Sequence, residues 1–244
     1  MKWAWKIGKW AGIDVYIHVT FVVLLAALAL INWMASGDFV AAVYSTLFPA
    51  LIFFCVLLHE FGHAVAAQHY GIPTRDITLY PIGGVARLER MPDKPFEELV
   101  VATAGPLVNV LIAAVLYFYL SATNALQPLE ALSLGGGGML QRLMIANVML
   151  VVFNLLPAFP MDGGRVLRAL LATVLDYVRA TQIAASIGQA MAMLFAFIGI
   201  AGGNPLLLFI AFFVWIGASQ EASMVQIRTA LAGIPVWRAM ITAQ

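Results

Sequence analysis

Charged side chains are scarce in this chain. Asp, Glu, Lys and Arg make up 10% of its 244 residues, whereas 63% are hydrophobic and the mean hydropathy is +0.94. Soluble domains carry about 25% charged residues, so this composition excludes an ordinary soluble protein. It predicts a polytopic membrane protein whose surroundings are the lipid bilayer. The net charge of +1 gives no electrostatic reason to expect a nucleic-acid partner.

Cysteine is almost absent. Cys55 is the only one in the sequence, so no intrachain disulfide can form and the redox compartment is left open. Because Cys55 lies within an apolar run, we expect it to be a small buried hydrophobic residue.

Long apolar stretches are what the chain has instead. A bilayer span needs about 20 mostly apolar residues, and six stretches qualify: 17–35, 44–67, 98–120, 139–157, 181–201 and 205–221. The first is long and has no small-residue cleavage site after it, so we interpret it as a retained span and not as a signal peptide. The predicted fold is mainly α, with about six transmembrane helices in one membrane domain over 1–221. A cytoplasmic tail is predicted over 222–244.

The basic residues give these spans an orientation. Twelve of the 13 lysines and arginines fall on one side of the predicted bundle, and only Arg142 falls near the other. Cytoplasmic loops carry the excess of Lys and Arg in membrane proteins. Both termini are therefore predicted to be cytoplasmic. Trp3, Trp5 and Trp10, which alternate with lysines, are expected to form an interfacial aromatic belt.

A metal-binding pattern lies inside the second span. In His59-Glu60-Phe61-Gly62-His63 the two histidines are four residues apart, so on a helix both imidazoles can reach one zinc ion, with Glu60 beside them as general base. Ionisable groups at membrane depth cost several kcal/mol and are rarely present without a function. The pattern therefore indicates a zinc site more strongly here than it would in a soluble protein.

Catalytic zinc usually takes three protein ligands, and two residues compete for the third place. His69 has the spacing of the extended zinc motif, but Ala66 stands where that motif has a glycine, and a continuing helix would turn His69 away. Asp162 follows Pro157 and Pro160 near the end of the fourth span, at a depth similar to that of the histidines. The alternative role for Asp162 is to cap a helix over 163–175.

These segments together resemble the site-2 protease family of intramembrane zinc metalloproteases. The resemblance rests on the motif at 59–63, on "NLLPAFPMDGG" at 154–164, on "ATAGPLVN" at 102–109 and on "LYPIGGVARLER" at 79–90. It implies one Zn²⁺ per chain held by His59, His63 and Asp162, with Glu60 catalytic. It also implies a core formed by spans 44–67, 98–120 and 139–157. The tail is similar to the lead-in to a regulatory module, which is either truncated here or not used.

Two further residue sets have alternative interpretations. Asn154 could donate a hydrogen bond to the oxyanion, or it could bond a neighbouring helix, as we expect for Asn109 and Asn147.

Residues 77–88 are expected to form a small membrane-associated β-hairpin that holds a transmembrane protein substrate by strand addition. Otherwise this hairpin lies at the surface without a substrate role.

The function predicted is hydrolysis of peptide bonds within transmembrane helices, at a site near the cytoplasmic side. A metal transporter and a zinc scaffold without activity are the alternatives. A transporter would need polar groups across the whole bilayer, and a scaffold would lack the general base that Glu60 supplies. The sequence does not indicate an oligomeric state.

Overall fold

The computed structural model describes residues 3–90, 92, 94–128 and 138–231. The chain divides into two compact units, residues 1–154 and residues 155–244. The first unit holds a four-stranded sheet and four helices, which are α1 (Val19–Ser36), α2 (Phe39–His69), α3 (Pro95–Ala122) and α4 (Met139–Asn154). The second holds α5 (Asp162–Leu171), α6 (Tyr177–Ala201) and α7 (Pro205–Leu231).

The helices confirm a mainly α, multi-pass membrane fold. Within the described residues five helices are long and apolar enough to cross a bilayer, namely α1, α2, α3, α6 and α7. The predicted span 139–157 is shorter than expected, because α4 has only 16 residues and so measures about 24 Å. It stops at Asn154, since Pro157 disfavours helical backbone at the residue before it.

The predicted hairpin is present but belongs to a larger sheet. Its strands are β3 (Thr74–Tyr80) and β4 (Gly83–Leu88), and they pair antiparallel. Two strands that we did not predict, β1 (Ala4–Trp10) and β2 (Ile13–His18), complete the order β1-β2-β3-β4. β2 runs parallel to β3. β4 is therefore an edge strand.

The sequence of β1 and β2 has the pattern of a β-hairpin. We did not predict this hairpin because we assigned its tryptophans to an interfacial belt. Trp5 and Trp10 lie on β1 and are exposed, so their belt role stays a prediction. Ala11 and Gly12 both have positive φ, as the two central residues of a type I′ hairpin turn require. Apolar residues then alternate along β2, the pattern typical of a strand with one buried face.

The sheet packs on the helix that carries the metal motif. One buried cluster joins strands β2 and β3 to α2; its members are Ile13, Val15, Ile77 and Leu79 from the sheet and Leu57 and Ala64 from the helix. Leu57 and Ala64 lie on either side of the motif in sequence. The sheet is thereby fixed next to His59 and His63.

The second unit packs largely through small residues. Phe159, Ala184, Ala185 and Ala218 form a buried cluster, and α5 is tied to α7 by an ion pair between Arg168 and Glu221. α7 continues past residue 221 to Leu231. Residues 232–244, which include most of the predicted cytoplasmic tail, lie outside the described residues.

Candidate active site

Two histidines form the centre of the site. α2 is helical throughout residues 39–69, so His59 and His63 lie one turn apart on one face, and both are buried. Their Nε2 atoms are 3.1 Å apart. Two nitrogens on a tetrahedral zinc ion, each at about 2.05 Å, would be about 3.3 Å apart. The pair is thus already close to the geometry of a bidentate zinc site.

Hydrogen bonds at the two Nδ1 atoms determine which ring nitrogen of each histidine carries the proton. His63 Nδ1 lies 2.7 Å from the carbonyl oxygen of Val101, and a carbonyl only accepts, so Nδ1 carries the proton. His59 Nδ1 lies 2.5 Å from Asn109 Oδ1 and is protonated for the same reason. Both Nε2 atoms then present lone pairs towards each other in a buried site. A cation between them removes that repulsion, so these residues fit a metal ion.

Two glycines, Gly105 and Gly62, leave space where α3 passes α2 beside the metal motif. A Cβ added at Gly105 of α3 would lie 2.2 Å from His63 Nε2 and 2.8 Å from His59 Nε2. A Cβ added at Gly62 of α2 would lie 2.7 Å from the carbonyl oxygen of Ala104. Because neither position has a side chain, α3 can approach α2 closely at the level of the metal motif.

Glu60 faces the edge strand of the sheet. The backbone N–H of Ala86 donates to Glu60 Oε2 at 3.3 Å. A Cβ added at Gly84 would lie 2.6 Å from Glu60 Cγ, so only glycine permits this approach. The predicted base and the predicted hairpin are therefore in contact.

A cavity of about 220 Å³ opens at this place. Its lining brings together residues from the motif helix, the hairpin, α3 and α4: Val56, His59, Glu60, Ile82, Gly83, Gly84, Asn109, Leu150 and Asn154. Asn154, the last residue of α4, thus lines the same space as Glu60. That placement is compatible with the oxyanion role that the sequence left open.

Asp162 lies in the second unit, as the first residue of α5. Met161 occupies the N-cap position, so Asp162 is not the N-cap residue but lies in the first turn of α5. The Asp162 side chain is buried. A Cβ added at Gly163 would lie 2.2 Å from the carbonyl oxygen of Leu156, so the tight backbone expected after Asp162 is present. The helix predicted over 163–175 ends earlier, at Leu171.

His69 has the position that helix continuation predicts. α2 passes through Ala66 without a break and ends at His69. The His69 side chain is exposed, and its ring contacts the ring of Tyr70 at 5.3 Å between centroids. The bend that would return His69 to the histidine pair is not present.

The sequence interpretation missed the residues that orient the histidines. Asn109 and Asn147 were expected to bond helix to helix, and Asn109 Nδ2 does donate to Asn147 Oδ1 at 2.8 Å. The contact of Asn109 with His59 was not predicted, nor were the Val101 carbonyl and the space at Gly105. The segment "ATAGPLVN" contains Gly105 and Asn109 and was the available signal, but it gave no role to either residue.

The family of this chain follows from its similarity to known proteins. The model of peptidase family M50 matches residues 47–195, which is more than half of the chain. This chain belongs to peptidase family M50. A solved structure, the site-2 protease from Methanocaldococcus jannaschii, is 35% identical, with a TM-score of 0.62 over 90% of this chain and 95% of that one. The predicted site-2 protease resemblance is confirmed.

Two curated relatives of this M50 chain align with nearly all of its length. A protein named as a zinc metalloprotease, also from M. jannaschii, is 36% identical over 234 residues, or 96% of this chain. The protein Rip3 from Mycobacterium tuberculosis is 31% identical over 262 residues. The chain spans 65% of the length of each of these relatives.

Proposed function

We propose that this M50 member is an intramembrane zinc endopeptidase that hydrolyses peptide bonds within transmembrane helices of other membrane proteins. One observation carries the proposal. A single cavity is lined by a metal-competent histidine, a carboxylate, a terminal helix amide and the glycines of an edge strand. The relative named as a zinc metalloprotease supports zinc as the metal, at one ion per chain.

The ligands proposed are His59, His63 and Asp162. Both histidines have their Nδ1 atoms engaged and their Nε2 atoms 3.1 Å apart, and Asp162 is a buried carboxylate. Two imidazoles and one carboxylate are a common ligand set of catalytic zinc. When bound, zinc supplies Lewis-acid polarisation of the scissile carbonyl.

The side chains of this chain supply the proton transfers. Glu60 accepts a proton from the attacking water and returns it to the leaving nitrogen, the role of a general base that becomes a general acid. Asn154, on the wall of the same cavity, donates from its amide to the oxygen that becomes negative in the transition state. Each acts from its own helix, α2 or α4.

We propose that the substrate is held along β4. Hydrogen-bonding directions alternate along a strand, and the N–H of Ala86 points away from β3 to Glu60. Gly84, two residues before it, shares that direction. A substrate segment that unwinds next to β4 could pair with this edge, which would place its backbone beside the general base. The hairpin would then have a substrate role as well as a structural one.

The surroundings of the motif support a cut at membrane depth. α2 has a mean hydropathy of 2.2 over its most apolar window, and polar backbone in such surroundings must find partners within the protein. From the distribution of lysine and arginine we propose that both termini are cytoplasmic and that the site opens near that side. Single cysteines placed at each terminus in a Cys55→Ala background, probed with a membrane-impermeant thiol reagent, would test this orientation.

The activity is tested with the purified chain in liposomes that contain a single-span substrate. We expect cleavage that a chelator abolishes and that added zinc restores. Transport of zinc without any cleavage would instead favour the transporter alternative. Zinc binding with neither activity would favour a scaffold.

A further inference from the structure

Two buried asparagine side chains connect the histidine pair to α4. Asn109 Oδ1 lies 2.5 Å from His59 Nδ1, and Asn109 Nδ2 donates to Asn147 Oδ1 at 2.8 Å. Asn147 Nδ2 in turn donates to the carbonyl oxygen of Leu143 at 2.9 Å and contacts Cys55 Sγ at 3.4 Å. Both asparagines are 0% exposed, so bulk solvent does not reach these hydrogen bonds.

The direction of this hydrogen-bond chain is fixed at its far end. The carbonyl of Leu143 can only accept, so the amide group of Asn147 must turn its NH₂ towards it and its oxygen towards Asn109. Asn109 must then turn its own NH₂ to Asn147 and its oxygen to His59. That oxygen can only accept, so the proton of His59 is held on Nδ1. The Nε2 lone pair is thereby directed to the metal position.

We propose that Asn147 is a positioning residue for the metal site. Through Asn109 it fixes the tautomer and the ring orientation of His59, although it does not itself touch the histidine. The inference rests on the proposed function, because it concerns zinc binding by His59. Partners that orient a ligand histidine commonly change metal affinity by 10–100-fold.

The placement of Asn147 on α4 gives it a second link to the site. Asn147 and Asn154 are seven residues apart, which is two turns, so they share one face of the helix. A shift of α4 that broke the bond to Asn109 would also move Asn154 along the cavity wall. The histidine tautomer and the position of the proposed oxyanion donor therefore depend on one helix register.

A purely structural role for Asn147 predicts a different effect of its removal on zinc affinity. If Asn147 only joins α4 to α3, its loss should lower stability without altering the affinity of the folded protein for zinc. Gln141 offers a matched control, because it is also on α4, is 1% exposed, and bonds the backbone N–H and carbonyl of Gln127. None of these contacts involves a histidine.

The test compares Asn147→Leu, Asn147→Asp and Gln141→Leu in the full chain. Zinc affinity is measured by competition with a chromophoric chelator, and the unfolding temperature of each chelated protein is measured separately. We expect Asn147→Leu to weaken zinc binding about tenfold or more. Asn147→Asp keeps an acceptor for Asn109 and, when protonated, a donor for Leu143, so it should bind zinc like the wild type. Gln141→Leu should lower only the unfolding temperature.

Three results would overturn the inference. They are wild-type zinc affinity in Asn147→Leu, equal losses in Asn147→Leu and Gln141→Leu, or a loss in Asn147→Asp as large as that in Asn147→Leu. If Asn147→Leu does not fold, Asn147→Ala removes the same bonds with no overpacking and is compared with Asn147→Asp in the same way. A wild type that holds no zinc would contradict the proposed function itself, whereas a zinc-binding wild type with a flat series contradicts only this inference.

Discussion

At the residue scale, the site depends on positions that have no side chain. Gly84 and Gly105 lie where a methyl group would overlap Glu60 or the two imidazoles. Gly83, beside Gly84, has φ +138° and nothing within 4 Å of an added Cβ. Adjacent glycines of one strand are therefore required for different reasons, backbone conformation at 83 and space at 84.

This difference predicts the outcome of two neighbouring substitutions. Gly84→Ala should displace the Glu60 side chain and lower kcat strongly while zinc remains bound. Gly83→Ala should cost roughly 1 kcal/mol or more of stability through backbone strain, with a smaller effect on kcat. Steady-state cleavage rates with zinc content and unfolding temperature distinguish the two. Equal kcat losses at both positions would show that contact with Glu60 is not the reason for glycine at 84.

The proposed third metal ligand, Asp162, gives a second prediction at this scale. Asp162→Ala should lower zinc content after dialysis, because two imidazoles without a carboxylate form a weaker site. His69→Ala should retain zinc, since His69 is exposed at the end of α2. Metal analysis of the two purified variants side by side decides between them, and the reverse order would mean that His69 and not Asp162 binds zinc.

At the scale of the element, β4 is an edge strand of the sheet, and it also contacts Glu60, the proposed general base. The outward N–H of Ala86 is the donor to Glu60, and the same edge is proposed to bind substrate. The opposite side of the strand pairs with β3. A change to one backbone donor can thus be made without altering the zinc ligands.

Proline at position 86 tests the role of this edge. Ala86→Pro removes the N–H that points away from β3, so we expect a raised KM and a lowered kcat with zinc content unchanged. Ala86→Ser retains the N–H at nearly the same size and serves as the control. Wild-type kinetics in Ala86→Pro would remove the edge from the account of substrate binding. If zinc is also lost, the Ala86→Pro protein has unfolded, and a substrate cross-linked to β4 in the wild type then decides.

Arg168, a buried cation on α5, gives a further prediction, which concerns the stability of α5. Arg168 is 0% exposed, pairs with Glu221, and lies over the rings of Phe159 and Tyr177 at 5.1 and 5.0 Å. Glu221 keeps 28% of its side-chain exposure. Removing Glu221 leaves a fully buried charge without that partner, a change that costs about 3–5 kcal/mol, whereas removing Arg168 leaves a carboxylate that is only partly buried.

We therefore expect Glu221→Leu to lower the unfolding temperature more than Arg168→Met does. Both variants are measured by thermal unfolding in the same detergent, with Met replacing the length of the Arg side chain. A larger loss in Arg168→Met would mean that the ring contacts of the guanidinium, and not its ion pair, stabilise α5.

At the scale of the whole molecule, the sequence predicted the parts of the fold that composition and spacing determine. Apolar runs located the five membrane-length helices of the described residues, and the pair Gly83-Gly84 with its apolar flanks, together with the family resemblance, indicated the hairpin 77–88. The N-terminal hairpin of β1 and β2 was missed because its tryptophans were assigned to an interfacial belt, and the parallel pairing of β2 with β3 joins strands some 60 residues apart in sequence. Local patterns do not encode such long-range parallel pairing.

The same limit applies to the site. The motif at 59–63 predicted the histidine pair, because four-residue spacing determines a shared helix face, and the role of Glu60 as the base stays a prediction. The roles of Gly105, Asn109 and Asn147 depend on how α3 and α4 pack against α2. Packing of this kind is a property of the tertiary structure, so no spacing within one helix could have predicted it.

The proposed function requires that peptide bonds are cut inside the membrane by a zinc-dependent reaction with Glu60 as base. The most direct measurement is mass spectrometry of the products from a single-span substrate in liposomes, with the wild type and Glu60→Gln loaded with equal zinc. We predict that the wild type cuts within the hydrophobic segment and that Glu60→Gln is slower by a factor of about 10²–10⁴. Cleavage only outside the hydrophobic segment, or an equal rate in Glu60→Gln, would contradict the account.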